Sequence, residues 1–220
     1  MGNMCLSNLV LVSPQCPVGE IAYSRASGAN SILDQCLRVD DLRQAVKDCS
    51  LVVGATARSR SLQWPEMSPE ATAQKIWGMD DQTRVAVVFG REHSGLSNDE
   101  LQLCNYMVQI PTNPDFSSLN VAAAIQVICY EIYKIPASRV GLEIDSQSEI
   151  LGEPRATSHE LEGYFDHLKQ VLIQTKFHNP DNPGQLMQKL RRLFLRSDLS
   201  KSEASILRGI LSSVEKYKGF

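Results

Sequence analysis

The apolar positions of the first 135 residues fall into short runs separated by stretches of helical spacing. Asn8–Ser13 (NLVLVS) is a brief apolar run closed by Pro14, and Ser50–Val53 and Arg84–Phe89 are β-branched runs stopped by Gly54 and Gly90. With Tyr106–Ile110, these runs predict strands. Between them, Asp41–Asp48 places Leu42, Ala45 and Val46 on one helical face, and Pro69–Trp77 and Asn98–Cys104 also read as helices. Pro111–Ser117 reads as a polar loop, with Ser117 as the expected N-cap of a long apolar helix, Leu119–Lys134. Strands this apolar, alternating with helices, predict an α/β fold: a parallel sheet with helices on both faces.

Near Pro136 the pattern changes. Residues 136–158 hold two prolines, two glycines and four acidic residues with little periodicity, and read as a linker with a solvated acidic face. Beyond it, Leu161, Tyr164, Phe165, Leu168 and Leu172 recur at amphipathic-helix spacing. Leu186, Leu190, Leu193 and Phe194 predict a second helix, and Ile206, Leu207, Ile210, Leu211 and Val214 a third. The chain therefore divides into an α/β domain (1–135), a linker (136–158) and a small helical C-terminal domain (159–220).

Composition adds limits. Of 220 residues, 43% are hydrophobic and 21% charged, which excludes a disordered chain. No apolar run approaches the roughly 18 to 20 residues of a membrane span, and no basic region precedes the first apolar stretch, so neither a membrane protein nor a signal peptide is expected. The six scattered cysteines, with no C-x-x-C pair, are expected to be buried free thiols of a reducing cytoplasm. The four histidines offer no metal-ligand spacing, and Trp64 and Trp77 are expected in the core. The net charge of −3 hides an asymmetry: residues 186–220 carry eight basic and three acidic side chains, Arg191 and Arg192 among the former. That segment is +5 and the remainder −8, which hints at a polyanionic partner.

Ligands of open α/β sheets lie beyond the carboxyl ends of the strands. Three such ends carry unusual loops: Gly54–Arg60 (GATARSR), Gly90–Leu96 (GREHSGL) and Ile110–Asn120 (IPTNPDFSSLN). Glycine and small residues let backbone groups approach a ligand closely, and each loop adds polar or cationic side chains. None is a phosphate loop or a dinucleotide fingerprint. The expectation is that all three converge on one notch at a single sheet edge.

VVGATARSR (Val52–Arg60), VVFGREHSGLSNDEL (Val87–Leu101) and IPTNPDFSSLNVAAAIQVICYE (Ile110–Glu131) resemble the successive signatures of the SpoU/TrmH branch of SPOUT, or knotted, RNA methyltransferases. With the helical tail, the resemblance is greatest to the TrmJ-type tRNA 2′-O-methyltransferases. It implies a C-terminal deep trefoil knot in the α/β domain, S-adenosylmethionine as cofactor, tRNA as partner, a cytoplasmic homodimer, and methylation of the ribose of cytidine or uridine at anticodon-loop nucleotide 32.

Carried onto this sequence, the resemblance implies that Ala55, Thr56, Ala57, Gly90, Ile110, Ser117, Ser118 and Leu119 bind the cofactor. Ser118 and Asn120 would organise the reacting centre, and Arg58, Arg60, Arg91 and Glu92 would meet RNA. Two plainer readings stand beside these: Asn120 could support the helix start, and Glu92 could pair with Arg91 or a helix end. The family's first signature, a strand and loop ending in Ala-Arg, precedes the segment matching MGNMCLSNLVLV and is not in this sequence. Because that arginine takes part in activating the 2′-hydroxyl, the alternative reading is a non-catalytic RNA- or cofactor-binding protein.

Overall fold

The computed structural model describes residues 1–57, 64–80, 82–139 and 153–217. After a 3-10 turn at Gly2–Met4 come β1 (Val10–Val12), α1 (Glu20–Arg25), α2 (Asn30–Asp34), β2 (Leu37–Val39) and α3 (Leu42–Val46). The chain continues through β3 (Leu51–Ala55), β4 (Glu66–Met67), α4 (Pro69–Trp77), β5 (Val85–Val88), α5 (Asn98–Leu101) and β6 (Tyr106–Val108). A second 3-10 turn at Pro114–Phe116 leads into α6 (Val121–Arg139). Helices α7 (Ser158–Gln174), α8 (Leu186–Leu195) and α9 (Lys201–Lys216) follow. The predicted strands and helices are all present, whereas α1, α2, β2 and the two-residue β4 carry no readable periodicity.

Every strand pairing is parallel, but the strands form two sheets rather than one: β4-β6-β3-β5, and a separate β1-β2 pair. The two share a cover instead of a hydrogen-bond ladder. Val12 of β1 and Ala86 and Val88 of β5 pack on the same cluster as Leu42 and Val46 of α3. Side chains of β3 alternate between layers as period 2 requires. Val52 enters the cluster with Leu42, Leu101 and Met107, while Leu51 and Val53 face Ile128 of α6. Both faces of the four-stranded sheet are therefore buried, which is why β3 is apolar throughout.

Helix α6 runs past Pro136, five residues beyond the predicted end at Lys134. Proline has no N–H to give the carbonyl four residues earlier, here that of Ile132. The indole Nε1 of Trp77, on α4, donates to that carbonyl at 2.7 Å. A tryptophan from a neighbouring helix thus supplies the bond the proline removes, and this fixes Trp77 at the surface of the α4–α6 seam, 38% exposed rather than in the core. Trp64 is buried as expected. All six cysteines are free, but only Cys104 and Cys129 are buried; Cys36 and Cys49 are half-buried, and Cys5 and Cys16 are exposed, contrary to the expectation from their apolar neighbours.

The three C-terminal helices share a core of Leu161, Tyr164, Phe165, Leu168, Val171, Leu195 and Leu211. This unit is docked on the α/β domain. The first free N–H groups of α7, at Ser158 and His159, donate to the carbonyls of Cys49 and Lys47 at 2.8 and 3.1 Å, and the Thr157–Glu160 capping box satisfies others. Arg191 corrects the reading of the basic tail. It is buried, lies 4.4 Å over the Phe165 ring, pairs with Glu162 and donates to the Gln102 carbonyl. It is a structural arginine, closed to a polyanion. The linker residues 140–152 lie outside the described residues.

Replacing Trp77 by phenylalanine leaves the Ile132 carbonyl without its donor and is expected to cost about 1 kcal/mol in chemical denaturation. An unchanged midpoint would show that solvent satisfies that carbonyl equally well.

Candidate functional site

The site is built at the carboxyl ends of β3, β5 and β6. Strand β3 does not break at Gly54 as its composition suggested; the ladder continues to Ala55. A Cβ at Gly54 would lie 2.9 Å from Cys104 Sγ and 3.0 Å from Leu96 Cδ1, so glycine is required there by neighbouring side chains. Immediately after, the Thr56 N–H donates to the Val108 carbonyl at 3.0 Å, tying the β3 loop to the end of β6.

The loop after β5 is closed on itself. Arg91 N–H donates to Gly95 O and Gly95 N–H to Arg91 O, at 3.2 and 2.8 Å. Gly95 has φ of 67°, in the left-handed region that favours glycine. Gly90 lies directly under this closure: a Cβ there would fall 2.1 Å from the Gly95 carbonyl carbon and 2.3 Å from Leu96 N. Those are backbone atoms, which cannot swing aside. Leu96 then drops into the core, and Ser97 caps α5 in a capping box with Glu100.

Glu100 is the hub of this loop. Its carboxylate accepts both Arg91 guanidinium branches at 3.0 Å and the Ser97 N–H at 2.7 Å. Partial burial pushes its pKa up, but the Arg91 and Ser97 hydrogen bonds outweigh that and hold the carboxyl below the usual range. Arg91 therefore pairs with Glu100, not with Glu92, though its side chain remains 63% exposed.

After β6, the Thr112 hydroxyl donates to Ser117 O at 3.1 Å, and Asn113 Oδ1 accepts from Asp115 N–H at 3.0 Å. The start of α6 is capped by Asn120, whose Oδ1 accepts the Ala122 N–H at 2.8 Å. Ser117 was the expected cap. It lies too early, because the helix begins only at Val121.

The three loops meet in one cleft of about 140 Å³. Ala55, Thr56 and Ala57 line it from β3; Gly90, Arg91 and Glu92 from β5; Ile110, Ser117, Ser118 and Leu119 from β6. Asn120 is outside the lining and acts on the helix start. Arg58 and Arg60 lie outside the described residues. Sequence reasoning did not single out Phe89, His93, Ser94, Leu96, Val108, Thr112, Val121 or Ala124, which also line the cleft. Most lie within the three signatures, so position in the motif was the available signal.

The walls are apolar at Leu96, Val108, Ile110 and Leu119, with hydroxyls at Thr56, Ser117 and Ser118 and a carboxylate at Glu92. With Arg91 and His93 also in the lining, such a cleft suits a partly apolar ligand that carries polar groups. Among the described residues, no group of three or more His, Cys, Asp or Glu side chains could hold a metal ion.

Residues 1–130 match the SpoU rRNA methylase family, and residues 159–219 the C-terminal domain of the tRNA methyltransferase TrmJ. The tRNA (cytidine/uridine-2′-O-)-methyltransferase TrmJ of Pectobacterium atrosepticum is 44% identical over 216 residues, covering 98% of this chain and 88% of that protein. The tRNA (cytidine/uridine/adenosine-2′-O-)-methyltransferase TrmJ of Pseudomonas aeruginosa is 44% identical over 222 residues, with 98% and 86% covered. The crystal structure of TrmJ from Z. mobilis superposes with a TM-score of 0.83 at 33% identity, covering 98% of this chain and 90% of that one.

Two outcomes follow from the loop geometry. Gly90→Ala is expected to displace the 90–96 loop and abolish ligand binding in the cleft, seen as loss of calorimetric binding; retained binding would refute the backbone contact. Because the folded Glu100 has a lowered pKa, its stabilising effect is complete at neutral pH and is lost as pH falls through the folded value. The stability advantage of the native chain over Glu100→Gln should therefore shrink below about pH 4, measured by thermal unfolding across pH.

Proposed function

The chain belongs to the SpoU rRNA methylase family, and from that premise we propose that it is an S-adenosylmethionine-dependent tRNA 2′-O-ribose methyltransferase acting on cytidine or uridine at nucleotide 32 of the anticodon loop. The observation that carries this reading is the convergence of three loops on one cleft, in a chain similar over nearly its whole length to enzymes of that name. The relatives' names bring tRNA, the 2′-oxygen and cytidine and uridine as targets, with adenosine added in the Pseudomonas aeruginosa protein; nucleotide 32 comes from the family resemblance.

The cleft fits the cofactor chemically. Gly90 brings the backbone to the cleft wall without a side chain, Ile110 and Leu119 provide an apolar bed, and Glu92 offers a negative charge to a cationic ligand. When bound, S-adenosylmethionine would supply an electrophilic methyl group for transfer to a ribose 2′-oxygen, with S-adenosylhomocysteine as the leaving product. The chain's own task is to align donor and hydroxyl and to ease loss of the hydroxyl proton. Ser118 presents a hydroxyl at the cleft to organise the reacting centre. Asn120 positions it by holding the turn into α6. Arg91, its guanidinium fixed by Glu100 yet largely exposed, is preorganised to meet a phosphate; Arg58 and Arg60 are assigned to RNA by the family resemblance.

The knot is part of the same reading: the segment from Ile110 into α6 would thread the loop after β5. A homodimer is supported by the exposed stripe Val127, Tyr130 and Tyr133 on α6. No helix among the described residues is long and apolar enough to cross a membrane, and the assigned compartment is the cytoplasm.

Incubating the chain with methyl-labelled S-adenosylmethionine and tRNA should label the ribose 2′-oxygen of nucleotide 32, read by nuclease digestion and mass spectrometry. Ser118→Ala should lower kcat about 100-fold with little change in cofactor affinity. Cofactor and tRNA binding without any transfer would overturn the assignment in favour of a binding protein.

A further inference from the structure

The C-terminal helices grip the α/β domain at the strand and helix whose far ends build the cleft. Asp198, in the turn between α8 and α9, accepts two hydrogen bonds on its Oδ2 atom, from Lys75 Nζ of α4 at 2.7 Å and from the Tyr106 hydroxyl at 3.1 Å, and forms an ion pair with Arg155 Nη1 at 2.8 Å. Lys75 Nζ also lies 4.5 Å from the Tyr106 ring centroid. Asp198 itself has φ of 49°, so the turn is held in the left-handed region while its carboxylate reaches across.

Tyr106 is the first residue of β6. The residue before it, Asn105, is buried: its Oδ1 accepts the Val52 N–H at 2.8 Å, and its Nδ2 donates to the Leu195 carbonyl, at the end of α8, at 3.5 Å. β6 is only three residues long, so its gripped end lies about 7 Å from Val108, which lines the cleft and receives the Thr56 N–H. A second hold acts on α5. Arg191 donates to the Gln102 carbonyl at the end of that helix, whose start fixes Glu100 and, through it, Arg91.

We propose that the α8–α9 turn braces the cofactor cleft, with Asp198 as a positioning residue that sets β6 and the loop leaving it for S-adenosylmethionine. The inference rests on the reading of the cleft given above. The Asp198 carboxyl is poised for this: burial alone would raise its pKa, but Lys75 and Arg155 outweigh burial and keep it ionised below the usual carboxylate range. Coupling of this kind is reciprocal, so cofactor binding should in turn tighten the docking of the helices.

Calorimetric titration of the full chain with S-adenosylmethionine tests the brace. Asp198→Asn should raise the cofactor Kd by at least about fivefold, and Tyr106→Phe, which removes one hydrogen bond and no charge, should raise it measurably as well. In turnover assays both should raise the cofactor KM more than they lower kcat. Glu215→Gln, which weakens the His167–Glu215 contact inside the helical unit, should lower thermal stability without moving that Kd. If Asp198→Asn fails to fold, Tyr106→Phe decides. A folded variant with the native cofactor Kd overturns the brace. A wild-type chain that binds no S-adenosylmethionine overturns the reading of the cleft, and the brace with it.

Discussion

At Gly90 the chain passes so close to the backbone of Gly95 and Leu96 that no side chain of any size fits between them. That contact is between main-chain atoms, so rotamer changes cannot relieve it. It sets the position of the loop after β5 relative to the strand it leaves, and through Leu96 it seats that loop in the core under Gly54. The Arg91–Glu100–Ser97 hydrogen bonds then hold the loop's other end to α5. The closure places Gly90, Arg91 and Glu92 along one wall of the cleft.

A sheet buried on both faces is the frame for that closure. β3 sends Val52 to one layer and Leu51 and Val53 to the other, so its position is fixed by packing from two sides. The C-terminal helices add a third layer at the opposite end of the strands from the cleft. They dock through polar anchors: free N–H groups of α7 on carbonyls of the α/β domain, Arg191 on Gln102, and Asp198 on Lys75 and Tyr106. Such buried or half-buried ionic contacts are costly to form from solvated groups, and they favour one docked arrangement over sliding alternatives.

Where the pattern of residues misled, the cause was a partner distant in sequence. Ser117 has the chemistry of an N-cap, but it closes the 3-10 turn at Pro114–Phe116, and Asn120 caps the helix that begins at Val121. Pro136 marks a helix end by every local rule, and Trp77 from another helix cancels the rule by supplying the missing donor. Gly54 reads as a strand terminator, yet it serves close side-chain packing within the strand. Arg191 belongs to a basic tail by composition and to the core by its contacts with Glu162 and Phe165.

By itself the sequence determined the element types, the division between a doubly covered parallel sheet and a helical tail, and the three loops that form the site. Those features follow from local periodicity and from residue types, such as glycine, whose geometry is intrinsic. The tertiary structure alone decided that β1 and β2 stand apart from the main sheet and that Arg91 is spoken for by Glu100. It also decided that the helical tail reaches back through Asp198 to the strand beneath the site. Each of those depends on which distant surfaces meet, and no spacing along a single chain encodes that meeting in readable form.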